Sequence, residues 1–394
     1  MLVSDQPPGV GAAPSRTSRR DPIFNALSAT TFSVALGMVG VSIPLLALHV
    51  GFDATQIGLL IALSAVSQLI ARSFMGAMMR KLPDKVFMLG AGFLIALSCG
   101  LVAVSTTILA FILSQLAQGV ARAFFFTGSQ THAVRVSDSA VRAVTSVNLA
   151  AGVGAFAGPA LAGLLFEYSA QFPLVVGAAI GALTMVPASL LVRLSPFKPV
   201  AHLRAERILR RPGVDAACWM GAISGVWKGL LDSYVPVVLT LAGQSGSTVG
   251  ILVAVGNGAL LVGSGLARYV RRTGIRGSLI LGVAATGLGT AALGPLAGLT
   301  LAAACALAAS GLGAGALQTV GPAIATEAVH PQEQGDAITS VGLFRAAALF
   351  VAPMGMAGMV LVFPVGIAFV VAGALVTLPA ALWLLPPRRR RAER

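Results

Sequence analysis

Two charged residues stand four positions apart in an otherwise apolar stretch of this chain. Lys228 and Asp232 fall near the middle of the stretch from Ala216 to Ala242, where a membrane helix would bury both side chains far from either surface. Residues four apart share one face of a helix, so the ammonium and the carboxylate can neutralise each other. A carboxylate held between burial and a neighbouring cation can load and release a proton. The pair predicts a proton-coupling site, and a fixed ion pair that only permits insertion of the helix is the open alternative.

Two arginines are also placed deep in apolar stretches. Arg122 and Arg345 each lie about 12 Å from the nearer end of their predicted helices. A charge at the centre of a membrane helix costs about 2.5 to 3.5 kcal/mol on insertion scales. Together with Lys228 these cations outnumber Asp232, the one carboxylate within a predicted span, which favours an anionic or zwitterionic ligand. We therefore predict that both arginines bind substrate, and a purely structural pairing stays open.

Polar and aromatic side chains in the same stretches complete the predicted ligand site. These residues are Phe32, Gln115, Gln118, Asn148, Trp227 and Tyr234. The amides would offer hydrogen bonds to a ligand, although polar residues also join membrane helices to one another. Aromatic residues make up only 6% of the chain, which argues against a broad aromatic cage for a bulky cation.

The residues that an enzyme would need are dispersed along the chain. The four histidines are His49, His132, His202 and His330. None of them stands in a sequence cluster with acids or cysteines, as a catalytic site at a membrane face would require. The three cysteines lack metal-ligand spacing, and no Gly-xxxx-Gly-Lys-Ser/Thr loop is present. We expect no enzyme activity, no metal and no cofactor.

The elements that must position these residues are membrane helices. Of the 394 residues, 56% are hydrophobic and 10% are charged, a composition outside the range of soluble domains. Apolar stretches of about 20 residues, each long enough to cross a hydrocarbon core, recur twelve times between Ile23 and Leu385. They are continuous rather than alternating, which favours helices over a barrel. The predicted fold class is an all-α integral membrane protein with twelve transmembrane helices.

The second half of the chain repeats the first. Pro44 and Gly58, each preceded by isoleucine, return at the same separation as Pro236 and Gly250, each preceded by valine. Internal duplication is typical of transporters, in which two similar bundles move against each other around a site at their interface. We predict two pseudo-symmetric six-helix bundles. The expected segments are a disordered tail (1–22), a first bundle (23–194), a basic linker (195–215), a second bundle (216–385) and a basic tail (386–394).

Basic residues lie only in alternate loops. They occur in both tails, in the linker and in the connections after the second, fourth and eighth predicted spans, and the opposite loops contain none. By the positive-inside rule both termini are then cytoplasmic, which needs an even number of spans. The formal net charge of +14 therefore reports topology, and nucleic-acid binding is the weaker interpretation because these residues are spread over short loops. The expected location is the cytoplasmic membrane of a bacterium.

Two helix motifs resemble elements of a known family. Residues 154–163 read Gly-Ala-Phe-Ala-Gly-Pro-Ala-Leu-Ala-Gly. They resemble the Gly-xxx-Gly-Pro-xx-Gly-Gly element of proton-coupled exporters in the major facilitator superfamily, with Ala162 in place of one glycine. The exporters' Arg-xx-Gln-Gly element is similar to Gln115-Leu-Ala-Gln118-Gly119, with Gln115 in place of the arginine. Small residues four apart let helices approach closely, and proline bends a helix at a seam that must open. Generic packing of small residues stays open.

The connection after the second predicted span resembles a third element of this family. Residues 76–85 follow the pattern Gly-xxx-Asp-Arg-x-Gly-Arg-Arg, but Arg80 stands where the family has its acid and Pro83 where it has its second glycine. In the family that acid takes part in a charge relay that latches the outward-facing state. The resemblance therefore implies a gate here whose latch differs from that of the family.

Over nearly the whole chain the resemblance implies a secondary active transporter. The implied activity is proton-coupled export of a small organic molecule by alternating access. Import by symport, or uniport, of a small metabolite is the alternative, and a non-transporting membrane protein or membrane enzyme is a remote one. The implied gating residues are Gly76, Arg80, Lys81, Gly154, Gly158, Pro159 and Gly163. Expected partners are the substrate, protons and membrane lipids, with no nucleic acid and a monomeric state.

Overall fold

The computed structural model describes residues 20–137, 140–196, 213–330 and 334–384, and all regular structure within these ranges is helical. The predicted linker and both predicted tails lie largely outside the described residues. The helices of the described part are α1 (Asp21–His49), α2 (Ala54–Met79), α3 (Asp84–Val104), α4 (Ile108–Arg135), α5 (Ala140–Phe166), α6 (Phe172–Leu183), α7 (Met185–Ser189), α8 (Val214–Leu241), α9 (Gly246–Arg271), α10 (Gly274–Leu296), α11 (Thr300–Glu327), α12 (Gln334–Val360) and α13 (Val365–Leu384).

Most of these helices have the length and composition of membrane spans. Among the described residues, ten helical segments are long and apolar enough to cross a membrane, and α13 contributes a shorter apolar segment. The ten include α6 and α7 as one segment and leave out α8, which is 28 residues long but carries Lys228 and Asp232. A multi-pass helical membrane protein is confirmed. The count of twelve spans stays a prediction.

The sixth predicted span is interrupted. Thr184 separates α6 from α7, and its hydroxyl donates a hydrogen bond to the carbonyl of Ile180. Pro187 follows three positions later and has no backbone N–H to donate into the preceding turn, so the regular hydrogen-bond ladder cannot run through this point. Because α6 and α7 together occupy one span, α8 to α13 correspond to the seventh to twelfth predicted spans.

The turns after α1 and α8 are built alike. Gly51 has φ 93° and Gly243 has φ 87°, a left-handed conformation that glycine adopts without the steric cost of a Cβ atom. After each turn a side chain caps the next helix, since Asp53 accepts a hydrogen bond from Gln56 N and Ser245 accepts one from Thr248 N. The four positions keep the spacing of the Pro44–Pro236 repeat. The duplication seen in the sequence is therefore also a duplication of local structure.

Each bundle also uses the same contact between a glycine and a proline. In the first, a Cβ atom placed on Gly37 of α1 would lie 2.7 Å from Cδ of Pro159 in α5; in the second, the corresponding distance from Gly229 of α8 to Cδ of Pro353 in α12 is 3.5 Å. The missing side chain lets the two helices approach where proline bends one of them. This pairing of the first and fifth spans recurs in both halves.

The two bundles meet mainly along three helix pairs. Helices α1 to α7 pack together in the first bundle and α8 to α13 in the second, while α5 packs against α9, α2 against α12 and α1 against α8 across the interface. One core cluster contains residues of both bundles, among them Met38 and Ala162 from the first and Trp227 and Leu231 from the second. We call the side of the bundles where α1 begins and α2 ends the basic side. The interface between α1, α2, α4 and α8 is where the candidate site lies.

Candidate functional site

Asp232 on α8 pairs with a cation from each bundle. Lys228 Nζ, one helical turn earlier, donates a hydrogen bond of 2.6 Å to Asp232 Oδ1. Arg122 Nη2, on α4 of the first bundle, lies 3.7 Å from Asp232 Oδ2. The carboxylate is therefore shared between a close partner on its own helix and a looser partner across the interface.

Asn257 completes this group, and the sequence analysis did not identify it. Lys228 Nζ donates a second hydrogen bond, of 3.0 Å, to Asn257 Oδ1, while Asn257 Nδ2 donates to the carbonyl of Val253. Its side chain is buried on α9. The sequence gives one signal for this residue, since Asn257 is the single amide side chain in the otherwise apolar, glycine-rich stretch that forms α9. We call Arg122, Lys228, Asp232 and Asn257 the central cluster.

Two small cavities adjoin Asp232 and Arg122. They measure about 10 and 20 Å³, close to the space that one water molecule needs. The first is lined by Val39, Gly40, Ile43, Pro44, Ile61, Gln115, Gln118, Arg122 and Asp232. The second is lined by Ile61, Ser64, Ala65, Gln68, Arg122, Gly229, Asp232, Leu349 and Pro353. An organic ligand would fit only after the bundles move apart.

Gly40 of α1 faces the Asp232 carboxylate. A Cβ atom on Gly40 would lie 3.9 Å from Asp232 Oδ1. Gly40 stands four residues before Pro44 and Asp232 four residues before Pro236, so the two occupy equivalent places in the repeat. At this repeated position the second half of the chain carries a carboxylate. The first half carries a glycine, whose missing side chain leaves room for that carboxylate.

Polar atoms beside the first cavity lack partners. Gln115 Oε1 and Arg122 Nε are buried without a hydrogen-bond partner in the described part of the chain. Gln115 is 1% exposed and Gln118 is 3% exposed, and both line the cavity. The two glutamines and Arg122 are spaced by three and four residues on α4, so they share one helix face.

The three predicted aromatic ligands lie in packed cores. Phe32 stacks on Phe125 with ring centroids 4.1 Å apart. Trp227 is 3% exposed, and the fully buried Tyr234 places its hydroxyl against Gly58 of α2. None of the three lines either cavity beside Asp232. Their role in ligand binding stays a prediction that needs a different state of the bundles.

Two further predicted ligands lie outside the central cluster. Asn148 is exposed and its Oδ1 accepts a hydrogen bond from Gln130 Nε2. Arg345 on α12 presents its backbone carbonyl to Gly225 of α8, and its Nε is buried without a hydrogen-bond partner among the described residues. The second cation on Asp232 is therefore Arg122 and not Arg345 in this arrangement.

The motif of α5 lies at close contacts between helices. A Cβ atom on Gly154 would overlap the carbonyl oxygen of Thr30, and one on Gly158 would overlap that of Val34, both in α1. Pro159 contacts α1 through Gly37, as described above. Gly163 faces the other bundle, since its added Cβ atom would lie 2.8 Å from Gly250 Cα of α9. One face of α5 thus fits α1 and its far end fits the second bundle.

The predicted gate after α2 is at the surface. Gly76, Arg80 and Lys81 are exposed on the basic side, and a Cβ atom on Gly76 would have open space. Asp84, which follows them at the start of α3, is instead buried. The structure does not bring the three gating candidates to the central cluster, and their role in gating stays a prediction.

A second buried ionic group lies within the first bundle, on the basic side. His132 Nε2 is 3.4 Å from Asp21 Oδ2 and His132 Nδ1 is 3.3 Å from Asp84 Oδ2, while Arg135 Nη1 is 3.6 Å from the same Asp84 atom. We call Asp21, Asp84, His132 and Arg135 the histidine cluster. The expectation that His132 stands apart from acids is wrong, because α1, α3 and α4 bring together residues that are far apart in sequence. Among the described residues no group of His, Cys, Asp and Glu is arranged to hold a metal ion.

Comparison with known proteins identifies a family and a fold. The family model described as Major Facilitator Superfamily matches residues 26–353. No curated protein sequence matches the chain.

Solved structures of similar fold are transporters of several kinds. A mutant of the nucleoside transporter NupG has 13% identity and a TM-score of 0.75, covering 94% of this chain and all of that one. A bacterial homologue of the human lysosomal transporter Spinster, inward-facing and unoccupied, has 12% identity and a TM-score of 0.73 over 94% and 95% of the two chains. A POT family transporter bound to a thioalcohol-conjugated peptide has 12% identity and a TM-score of 0.72 over 92% and 94%. At these identities the likeness concerns the fold alone.

Proposed function

The chain belongs to the major facilitator superfamily, and from that premise we propose that it is a secondary active transporter that exports a small anionic or zwitterionic organic molecule in exchange for protons. One observation carries the proposal. Asp232 is shared between Lys228 of its own bundle and Arg122 of the other, beside two cavities at the bundle interface. Such an ionic link has to change when two bundles rock around a site between them.

The charges around the site support this choice of substrate. Two cations contact one carboxylate, and Arg345 is a third cation on α12, a helix that packs against α2 of the other bundle. In a low-dielectric interior, excess positive charge attracts a negative group more strongly than in water.

The same geometry supports a second candidate, proton-coupled import. A substrate that brings only a carboxylate competes with Asp232 for Arg122, so protonation of Asp232 would help that substrate to bind. Proton and substrate would then travel together. The looseness of the Arg122 contact, 3.7 Å against 2.6 Å for Lys228, is the observation that favours it.

The proposal includes a placement in the membrane. The basic side faces the cytoplasm of a bacterial cell, because lysine and arginine in short loops are retained there. In this placement α8 and α13 also cross the membrane, which brings the number of membrane spans to twelve. The transporter works as a monomer with protons, its substrate and membrane lipids as partners, and the gate contains Gly76, Arg80, Lys81, Gly154, Gly158, Pro159 and Gly163.

Flux through the purified protein in liposomes tests the proposal. An imposed pH gradient should drive accumulation of a member of a panel of labelled organic anions and zwitterions, and adding that compound without a gradient should move protons. Protein-free liposomes and the variant Asp232→Asn are the controls. If no compound in a broad panel moves in response to a pH gradient in either direction, proton-coupled transport is excluded.

A further inference from the structure

The first cavity has one polar wall and one apolar wall. Gln115, Gln118 and Arg122 form the polar wall along α4, with Asp232 of α8 at its edge. Val39, Ile43 and Pro44 of α1 stand in the apolar wall. The arrangement is that of a site which orients a small molecule by a few polar groups and holds the remainder by apolar contact.

Two atoms of the polar wall have unused hydrogen-bonding capacity of opposite kind. Gln115 Oε1 is an acceptor and Arg122 Nε is a donor, and both are buried without a partner in the described part of the chain. Gln115 is almost completely buried, so bulk water does not satisfy it. Native proteins pair such atoms, and an unpaired atom that faces a cavity suits a ligand group of complementary type.

We infer that the first cavity is the closed form of a site for a small zwitterion, an amino acid with an apolar side chain. Its ammonium group lies between Gln115 Oε1 and Asp232, its carboxylate on Arg122, and its side chain against Val39 and Ile43. The inference rests on the proposed function and narrows its substrate class. The cavity of about 10 Å³ has to widen to hold such a molecule, which is the opening that alternating access supplies.

The ionic contacts of Asp232 fit this occupant. Arriving between Asp232 and Arg122, a zwitterion replaces one ion pair by two, because its ammonium takes the carboxylate and its carboxylate takes the guanidinium. The contact that opens is the longer one, at 3.7 Å, while the Lys228 hydrogen bond of 2.6 Å can remain. Charge is conserved in the exchange, so no group is left unpaired in the interior.

This substrate class fixes the sign of coupling. An ammonium group and a proton compete for the same Asp232 carboxylate, so the transporter carries one outward as it carries the other inward. A carboxylate that lacks an ammonium group competes instead with Asp232 for Arg122 and would move together with the proton. Export by proton exchange therefore requires the cationic half of the zwitterion.

Liposomes with an acidic interior test the inference on the full-length protein. The probes are labelled L-alanine, L-valine, L-leucine and L-methionine, together with 4-methylpentanoate, which is leucine without its amino group, and 3-methylbutylamine, which is leucine without its carboxylate. Accumulation is counted as the excess over protein-free liposomes with the same gradient, because the neutral forms of the two truncated probes cross the bilayer unaided. At least one of the four amino acids should then accumulate about tenfold or more, and the two truncated probes should not. Accumulation of none of the amino acids overturns the inference.

The same assay separates this inference from the proposed function. If 4-methylpentanoate accumulates with an alkaline interior while the amino acids do not, proton-coupled transport stands and the zwitterion site is wrong. If the amino acids accumulate only with an alkaline interior, they move together with protons. The proposed competition between an ammonium group and a proton for Asp232 is then wrong. Absence of pH-driven flux for every compound in the broad panel removes the proposed function as well.

A variant of the unpaired acceptor tests the position of the ammonium group. Gln115→Leu should weaken binding of the transported amino acid about tenfold, as measured by the half-saturating concentration, because its ammonium loses one acceptor. Competition by 4-methylpentanoate should be unchanged, since that probe does not use Gln115. Gln130→Leu, on the same helix but outside the cavity, is the matched control. Equal weakening for both probes would mean that Gln115 is only structural and would overturn the assignment.

Discussion

The central cluster and the histidine cluster are both buried and ionic, but they join different parts of the molecule. In the central cluster Asp232 of the second bundle contacts Arg122 of the first. In the histidine cluster the contacts named above lie within the first bundle, between the start of α1, the start of α3 and the end of α4. One group spans the interface between the bundles, and the other ties three helices of one bundle together.

The two clusters also differ in the charges that they combine. In the central cluster one carboxylate serves two cations beside two cavities. In the histidine cluster two carboxylates face one histidine and one arginine. An excess of cations beside a cavity allows a ligand or a proton to rearrange the charges, while contacts among three helices of one bundle hold those helices in place. We expect changes in the first cluster to alter coupling and changes in the second to alter stability.

The largest effect is expected from Asp232→Asn. This change removes the titratable group of the central cluster and keeps its shape, so pH-driven accumulation should be abolished. Downhill exchange should remain, with weaker substrate binding because the ammonium group loses its carboxylate partner. Accumulation in liposomes, compared with exchange in the same preparation, measures the difference. A variant that keeps full pH-driven accumulation would contradict the role of the central cluster.

Gly158→Leu extends the comparison to an uncharged contact. Its side chain would overlap the Val34 carbonyl of α1, so α1, which lines the first cavity, would be displaced. Transport should be lost although the protein still inserts into the membrane. Gly355→Leu on α12, where an added Cβ atom has open space, is the control. Normal flux through Gly158→Leu would show that α1 and α5 do not need this close contact.

His132→Ala should affect stability more than coupling. Without the imidazole, Asp21 and Asp84 lose their shared partner, and leaving a buried polar group without its partner costs about 1 to 3 kcal/mol. Thermal unfolding should occur at lower temperature, while the pH profile of flux per folded molecule stays unchanged. His49→Ala, which removes an exposed histidine, is the control. A changed pH profile without loss of stability would assign the histidine cluster to coupling instead.

A double-mutant cycle on Lys228 and Asp232 measures how far the central cluster acts as a unit. Asp232→Asn leaves two cations without their carboxylate, and adding Lys228→Ala relieves part of that repulsion. The loss of stability in the double variant should therefore be smaller than the sum of the single losses, by about 0.5 to 3 kcal/mol. Unfolding of the four proteins in the same detergent provides the values. Additive losses would place the two residues in separate roles.

The smallest effect is expected from Asn257→Leu. Once the amide is removed, the Lys228 ammonium has only Asp232 as its hydrogen-bond partner, so the charged carboxylate is held more firmly. Protonation of the site then needs a more acidic solution, and the pH profile of transport should move to lower pH by about one unit or less. The pH for half-maximal flux is the measurement. A shift to higher pH would mean that Asn257 does not compete with Asp232 for the ammonium.

The sequence alone determined those features that depend on residues close together in the chain. Apolar stretches predicted the helical membrane architecture, and the repeat of Pro44 as Pro236 predicted that the helices containing them are equivalent. The Lys228–Asp232 contact was predictable because four residues make about one helical turn. Pro187 was a local signal for the break at Thr184. The apolar stretch is long enough for one uninterrupted span, so this signal was overlooked.

Contacts between helices were decided by the tertiary structure. Arg122 reaches Asp232 over 110 positions, and His132 meets Asp21 over 111 positions and Asp84 over 48. In such pairs the distance depends on the rotation and tilt of each helix, which are set by packing of small residues such as Gly154 and Gly158 against a neighbouring backbone. The spacing of residues along one helix follows from its pitch, whereas the choice of neighbour across a bundle depends on all the helices packed together.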